Sequence, residues 1–276
     1  MMKIDSFLNL QGKVAIVTGA STGLGSATAQ MLAAAGANVL INHMPGQESQ
    51  AQTVANDCVT ESFCHAGDIT KDEDCKKTVQ AAIDQWGRVD ILVNNAGINK
   101  FVEHHDLDGL NAKDFIDIYS VNVIGAYQMI RAVAPFMKIG GKGVVVNVSS
   151  AAGESGGGSC VAYAASKGAI NTMTRSLGRA LAPEIRVNAV CPAFINTPIW
   201  NKRLVEMSAE QKLAWLDNEK SSTPLQLENT PELIARSILF LTSDLSAHLT
   251  GQLLTSDGGT LLGAYQSMFK QSNDVD

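Results

Sequence analysis

An α/β fold, with a single doubly wound parallel sheet, helices on both faces and a helical lid, is what this 276-residue chain predicts. Short apolar runs without polar alternation recur along it, the pattern of strands covered on both faces. Longer stretches with helical spacing separate the runs, which is the βαβα order of a parallel sheet. The length suits one large domain spanning 1–276.

In chain order, the runs at 14–17, 39–41, 91–93, 144–146, 187–190 and 253–254 read as strands. The stretches 26–35, 72–86, 112–137 and 162–181 read as helices. The glycine-rich segment 153–159 lies between a strand and a helix, so it divides nothing. The stretch 197–223 breaks the alternation: it is helix-prone, carries Trp200, Met207 and Trp215, and follows a strand end, where α/β folds place ligand-covering insertions. It is the expected substrate lid, and its tryptophans either close over an apolar substrate or pack lid helices on the core. The final segment, with Tyr265, Met268 and Phe269, either reaches a neighbouring subunit or frays.

At 45% hydrophobic and 17% charged residues, the composition excludes a disordered chain. The 21 basic and 27 acidic residues sum to −6, the wrong sign for a nucleic-acid or anionic membrane surface, which leaves small molecules as partners. No apolar run approaches the roughly 20 residues that cross a bilayer. The first residues lack the charged and apolar regions of a secretory leader, so a cytoplasmic location is expected. Cys58, Cys64, Cys75, Cys160 and Cys191 form a scattered set without CxxC spacing, as reduced thiols do. Cys191, at a strand end, reads as an inert buried thiol or a reactive one. In His104-His105-Asp106 the adjacent histidines point in different directions and no third ligand follows, so no metal is expected and a surface or pocket-rim loop is the reading.

The first strand runs into Thr18-Gly19-Ala20-Ser21-Thr22-Gly23-Leu24-Gly25 and then an alanine-rich helix. Glycines at 19, 23 and 25 permit a tight turn and let a pyrophosphate approach backbone N–H groups at a helix N-terminus. Gly19, Ser21, Thr22, Gly23, Leu24 and Gly25 are therefore expected cofactor contacts. Without a GK[ST] sequence a P-loop nucleotidase is excluded. A dinucleotide fold often ends its second strand on an acid for NAD or a base for NADP. Here Ile41-Asn42-His43-Met44 supplies neither. Asn42 and His43 either hydrogen-bond a ribose or 2′-phosphate, with a lean towards NADP or dual use, or are polar residues facing solvent.

Tyr163 and Lys167 lie four residues apart in a helical segment, hence on one face. A nearby ammonium favours phenolate and brings a phenol towards the working range of a general acid or base. Ser150, thirteen residues upstream of Tyr163, ends the 144–148 strand at the carboxyl edge of the sheet. Its hydroxyl is suited to a substrate oxygen and a developing alkoxide.

Together these residues resemble the short-chain dehydrogenase/reductase family across nearly the whole chain. The resemblance takes in the Thr18 to Gly25 loop, Asp68 after a third strand and Asn94-Asn95-Ala96-Gly97 after a fourth. It continues through Asn122, Ser150, Tyr163, Lys167, Pro192 through Thr197, and Ser256-Asp257-Gly258-Gly259. It implies a Rossmann-type fold, NADP or NAD as cofactor, a homotetramer and an Asn122-Ser150-Tyr163-Lys167 tetrad. Tyr163 is implied as proton donor and acceptor. Lys167 is implied to lower its pKa and hold the nicotinamide ribose, Ser150 to position the carbonyl oxygen, and Asn122 to support a water relay. Asp68 and Ile69 resemble the adenine contacts; Asn95, Ala96, Gly97 and Pro192 would line the cofactor, and Ile195 and Thr197 would approach the nicotinamide carboxamide and phosphates. One departure is Pro192-Ala193 where the family has Pro-Gly, which an alanine tolerates if its φ is negative.

The implied activity is hydride transfer between a nicotinamide and a secondary alcohol or ketone, as a carbonyl reductase or alcohol dehydrogenase. A sugar dehydrogenase resembling glucose 1-dehydrogenase and a 3-oxoacyl-carrier-protein reductase are the alternatives. The last would want a basic docking patch, for which Arg131, Lys138 and Lys142 are a thin supply. A non-catalytic nucleotide sensor is a remote alternative, since no tetrad member is missing.

Overall fold

The computed structural model describes residues 5–197 and 207–263. Its strands are β1 (Val14–Val17), β2 (Asn38–His43), β3 (Ser62–Ala66), β4 (Ile91–Asn94), β5 (Gly143–Val148), β6 (Ile185–Pro192) and β7 (Leu253–Ser256). The helices are α1 (Asp5–Leu8), α2 (Gly23–Ala34), α3 (Glu48–Asp57), α4 (Asp72–Trp86), α5 (Ala112–Tyr119), α6 (Ala126–Gly140), α7 (Ala152–Ser155), α8 (Val161–Ala180), α9 (Ala209–Ser222) and α10 (Pro231–Thr242). All strands pair in parallel, in the order β3-β2-β1-β4-β5-β6-β7. This is the doubly wound, Rossmann-type sheet that the sequence predicts.

Strand side chains alternate between two apolar layers, which is why uninterrupted aliphatic runs are needed. Ala15 and Val17 of β1 join Val39, Ile41, Val93 and Val146 beneath α2, α3 and α10. Val14 and Ile16 join Leu40, Leu92, Val145 and Val187 beneath α4, α6 and α8. Ile16, Leu40 and Leu92 are wholly buried, and each such side chain contributes roughly 1.5–3 kcal/mol.

The edge strand β3 is missing from the apolar runs. Its Ser-Phe-Cys-His-Ala sequence is only half-buried; Phe63 packs on Trp86 of α4 at 5.0 Å between ring centroids, and pairing with β2 supplies the rest. The stretch 112–137 is also not one α-helix. Asn111 opens α5 with a reciprocal capping box to Asp114, and a π-helical turn, Ser120–Gly125, separates α5 from α6. Of the expected lid, α9 is described, whereas Trp200 lies outside the described residues, as do Tyr265, Met268 and Phe269.

β1 pairs with β2 on one side and β4 on the other, so the chain reverses its winding direction at β1 and leaves a crevice beyond the carboxyl ends of β1 and β4.

Candidate active site

A cleft of about 910 Å³ occupies that crevice. Its floor is the β1–α2 loop, held by side-chain amide and hydroxyl bonds to the end of β4. Thr18 Oγ1 accepts from the backbone N–H groups of Asn95 (3.0 Å) and Ala96 (3.1 Å). Asn95 Nδ2 donates to the carbonyls of Thr18 (2.9 Å) and Gly19 (3.0 Å). Gly19 has φ +60°, and a Cβ there would stand 2.8 Å from Ala96 Cα, so the turn admits only glycine.

Ser21, Thr22, Gly23 and Leu24 line the cleft at the start of α2. That N-terminus has no side-chain cap and no acid in its first turn, which leaves backbone N–H groups and the positive end of the helix dipole for an anion. The cradle closed by Gly19 and this bare helix end fit the pyrophosphate of a dinucleotide. Gly25 lies behind the loop: a Cβ there would meet Gly19 O at 2.4 Å and Asn95 Nδ2 at 2.5 Å. It permits the loop to pack and does not line the cleft.

At the far end, Asn42 lines the cleft while its Nδ2 donates to Gly67 O at 3.1 Å. His43 does not reach it. The side chain is buried, 2% exposed, with Nδ1 3.0 Å from Met44 O, because the alternation of β2 turns it towards the α3 side. The neighbouring cleft positions belong to Met44 and Gln47, the latter accepting from Ser21 Oγ at 2.8 Å. Sequence reasoning missed both, since neither carries charge or motif. Asp68 and Ile69 line the same region, and Asp68 Oδ1 accepts from Thr70 N (3.0 Å) and Oγ1 (2.7 Å).

Asn95, Ala96, Gly97, Ser150, Tyr163, Lys167, Pro192, Ile195 and Thr197 all line the cleft. Both serines at the β5 end border the cleft, but the Ser149 hydroxyl is turned inward and donates to Asn171 Oδ1 at 2.5 Å. Ser150 faces the cleft, its Oγ accepting from Ala152 N at 3.1 Å. Lys167 is 5% exposed, donates from Nζ to Val148 O at 2.8 Å, and stands 5.5 Å from the Tyr163 ring centroid. Ala193 has no positive φ, since Gln226 is the only non-glycine residue with one among the described residues; the family's glycine is thus dispensable there.

Burial pushes the Tyr163 phenol up to about 12 against the opposing pull of the Ser150 hydroxyl. Burial likewise brings Lys167 down to about 8. The expected lowering of the phenol by the ammonium is not realised in this arrangement: burial dominates at Tyr163, and the ammonium is turned to Val148 O. Cys191 is fully buried, and burial raises its thiol to about 12, which is the inert reading of that residue.

Asn122 stands behind the cleft wall. Its Oδ1 accepts from Ile98 N (2.8 Å), and its Nδ2 donates to Ile98 O (3.0 Å) and Ser166 Oγ (3.0 Å). It thus joins the loop after β4 to the helix that carries Tyr163 and Lys167, and the π-turn supplies its position. At the opposite wall, α9 contributes Trp215 and Glu219 to the lining. Trp215 packs edge-on against Phe194, with centroids 4.6 Å apart. His104 approaches the rim, with Nε2 3.3 Å from Gly158 O.

A family model described as Enoyl-(Acyl carrier protein) reductase matches residues 19–260. The 3-oxoacyl-[acyl-carrier-protein] reductase of Thermotoga maritima is 35% identical over 257 residues, 92% of this chain and 100% of that protein. The ligand-free structure of Thermoplasma acidophilum aldohexose dehydrogenase aligns with a TM-score of 0.84 at 29% identity, covering 96% of this chain and 100% of that one. A 7α-hydroxysteroid dehydrogenase complexed with NADH and 7-oxo glycochenodeoxycholic acid aligns with a TM-score of 0.83 at 32% identity, covering 94% and 98%.

Proposed function

Given that the chain belongs to the short-chain dehydrogenase/reductase family and is an NAD(P)-dependent oxidoreductase, we propose that it interconverts a secondary alcohol and a ketone, as a carbonyl reductase or alcohol dehydrogenase. The observation that carries this reading is the meeting of Ser150, Tyr163 and Lys167 in the same cleft as the bare N-terminus of α2. The nicotinamide, when bound, supplies or takes the hydride. The α2 N-terminus holds the pyrophosphate, and Asp68 and Ile69 bound the adenine. Ser150 Oγ orients the substrate oxygen. Tyr163, a protonated phenol at neutral pH, gives that oxygen its proton in the direction of reduction and recovers it in oxidation. Lys167 favours the phenolate that this transfer leaves. Asn122 keeps Ile98 and α8 in register, and so acts through position.

At the adenosine end, Ser21, Asn42, Met44 and Gln47 are all uncharged. With Asp68 engaged by Thr70, the neutral polar groups of this set suit a ribose hydroxyl or a 2′-phosphate, which supports use of both NADP and NAD. The 3-oxoacyl-carrier-protein alternative is weakened because Arg131, one of its few docking cations, is engaged by Asp72. The reading includes α9 as part of a substrate lid on a single domain, with Trp215 closing over the substrate. It also includes a homotetramer, supported by exposed Ile116, Ile124 and Tyr127 along α5, the π-turn and α6. Among the described residues no helix is long and apolar enough to cross a membrane, and a cytoplasmic location belongs to the same proposal.

The test follows reduced-nicotinamide absorbance with NADH and NADPH against ketones, 3-oxoacyl thioesters and sugar lactones. Tyr163→Phe is expected to lower kcat by about 10²–10⁴-fold while cofactor still binds. An unchanged rate in that variant overturns the role of Tyr163.

A further inference from the structure

Five side-chain atoms among the described residues are buried without a hydrogen-bond partner: Thr28 Oγ1, Ser62 Oγ, Trp86 Nε1, Asn94 Oδ1 and Ser159 Oγ. Of these residues only Ser159 lines the cleft. A buried hydroxyl left unpaired carries its full desolvation cost, so native structures keep few of them. Several other hydroxyls of cleft-lining residues are engaged within the chain. Ser149 donates to Asn171, Ser155 to Ala151 O, Thr197 to Ile195 O and Thr260 to Asp257 O.

The segment bearing Ser159 is held from behind and lines the same cleft as Tyr163. Ser159 O accepts from Val102 N at 3.0 Å, and His104 contacts Gly158 O. A Cβ on Gly158 would stand 3.6 Å from Cδ1 of Tyr163, so the residue before Ser159 packs close to the edge of the Tyr163 ring. Ser159 itself is 5% exposed, so its hydroxyl is left unpaired in a largely desolvated position on the cleft lining.

We propose that Ser159 recognises a hydroxyl group on the substrate near the reacting carbon, so that the preferred substrate is a hydroxyketone or polyol and not a plain hydrocarbon ketone; this rests on the hydride-transfer reading above. A serine hydroxyl donates once and accepts twice, and a second hydroxyl is the neutral partner that returns both. A carboxylate is disfavoured in that role, because Lys167 is the only basic side chain among the described lining residues and Glu219 shares the cleft. A site that hydrogen-bonds a substrate hydroxyl discriminates against the analogue lacking it, because its own polar group is then left unpaired.

The experiment compares 2-hydroxycyclohexanone with cyclohexanone, at saturating NADPH, for the unaltered protein and Ser159→Ala. The unaltered protein is expected to favour the hydroxyketone in kcat/KM by about tenfold. Ser159→Ala removes that preference, mainly through KM, and leaves cyclohexanone turnover and the melting temperature no lower than before. An equal effect of the substitution on both ketones overturns the inference, since a merely structural serine acts that way. Turnover of cyclohexanone without preference for its hydroxylated partner overturns it too, while the hydride-transfer reading stands. Turnover of neither ketone, nor of any alcohol or carbonyl compound, overturns both.

Discussion

Lys167 spends its ammonium on the carbonyl oxygen of Val148, 2.8 Å away at the end of β5. The group that α8 presents to the cleft is thereby tied to the central sheet. The same bond holds Nζ 5.5 Å from the Tyr163 ring centroid, so the position of the cation relative to the phenol is set by strand β5.

A pH dependence follows. Burial brings Lys167 from its ordinary 10.5 down to about 8, whereas it raises Tyr163 to about 12. The phenol therefore keeps its proton throughout the neutral range, and the cation beside it is present below pH 8 and lost above. Ketone reduction is expected to fall as pH rises through about 8, and Lys167→Met to lose about 10² or more in kcat/KM together with that inflection. A profile of kcat/KM between pH 6 and 10 checks this, and a flat one from 7 to 9 contradicts it.

Asn122 answers both backbone groups of Ile98 and the hydroxyl of Ser166 with one amide. Asn122→Ala leaves those groups without partners behind the cleft, at a cost of about 2–3 kcal/mol. Urea unfolding is expected to show the loss directly, with weaker cofactor binding because Gly97 and Ile98 line the cleft. Unfolding identical to that of the unaltered protein would remove Asn122 from its positioning role.

Gly25 separates a packing requirement from a ligand contact. The methyl of Gly25→Ala would enter the space of Gly19 O and Asn95 Nδ2, an overpacking worth about 1–3 kcal/mol. The melting temperature is expected to fall in the absence of any cofactor. A variant that melts normally and only binds NAD(P)H more weakly would restore Gly25 to the set of direct contacts.

Cofactor choice should be open to a single charge. Gln47 lies beside Ser21 at the adenosine end, and Gln47→Arg places a guanidinium where a 2′-phosphate is expected. A charged hydrogen bond of about 1.5–3 kcal/mol corresponds to at least a tenfold shift of the kcat/KM ratio towards NADPH. Parallel kinetics with both cofactors measure the ratio, and no change would place the 2′ position elsewhere.

Much of this architecture was legible in one dimension because it depends on local periodicity. Aliphatic runs marked six of the strands, since a strand covered on both faces has no polar side to alternate with. The 72–86 helix matched α4 from end to end, with acids in its first turn and Gly87 in the left-handed conformation after it. β3 escaped the pattern because an edge strand with one neighbour needs little aliphatic surface. The π-turn at Asn122 escaped because its extra residue per turn is stabilised by Ile98 and Ser166, which are distant in sequence.

That Ser150, Tyr163 and Lys167 share one cleft was legible from residue order and the family resemblance together, since a strand end and one helical face are positions that spacing specifies. Which way neighbouring side chains turn was decided only in three dimensions. Ser149 and Ser150 are adjacent and both border the cleft, yet the Ser149 hydroxyl is turned inward to Asn171 and that of Ser150 accepts from Ala152 N. Asn42 and His43 are likewise adjacent, and only Asn42 reaches the cleft. Strand alternation offers every pair of neighbours two opposite faces, and packing of the surrounding helices determines which face borders the crevice. The unpaired hydroxyl of Ser159 belongs to the same class, because a missing partner is a property of everything that surrounds a side chain.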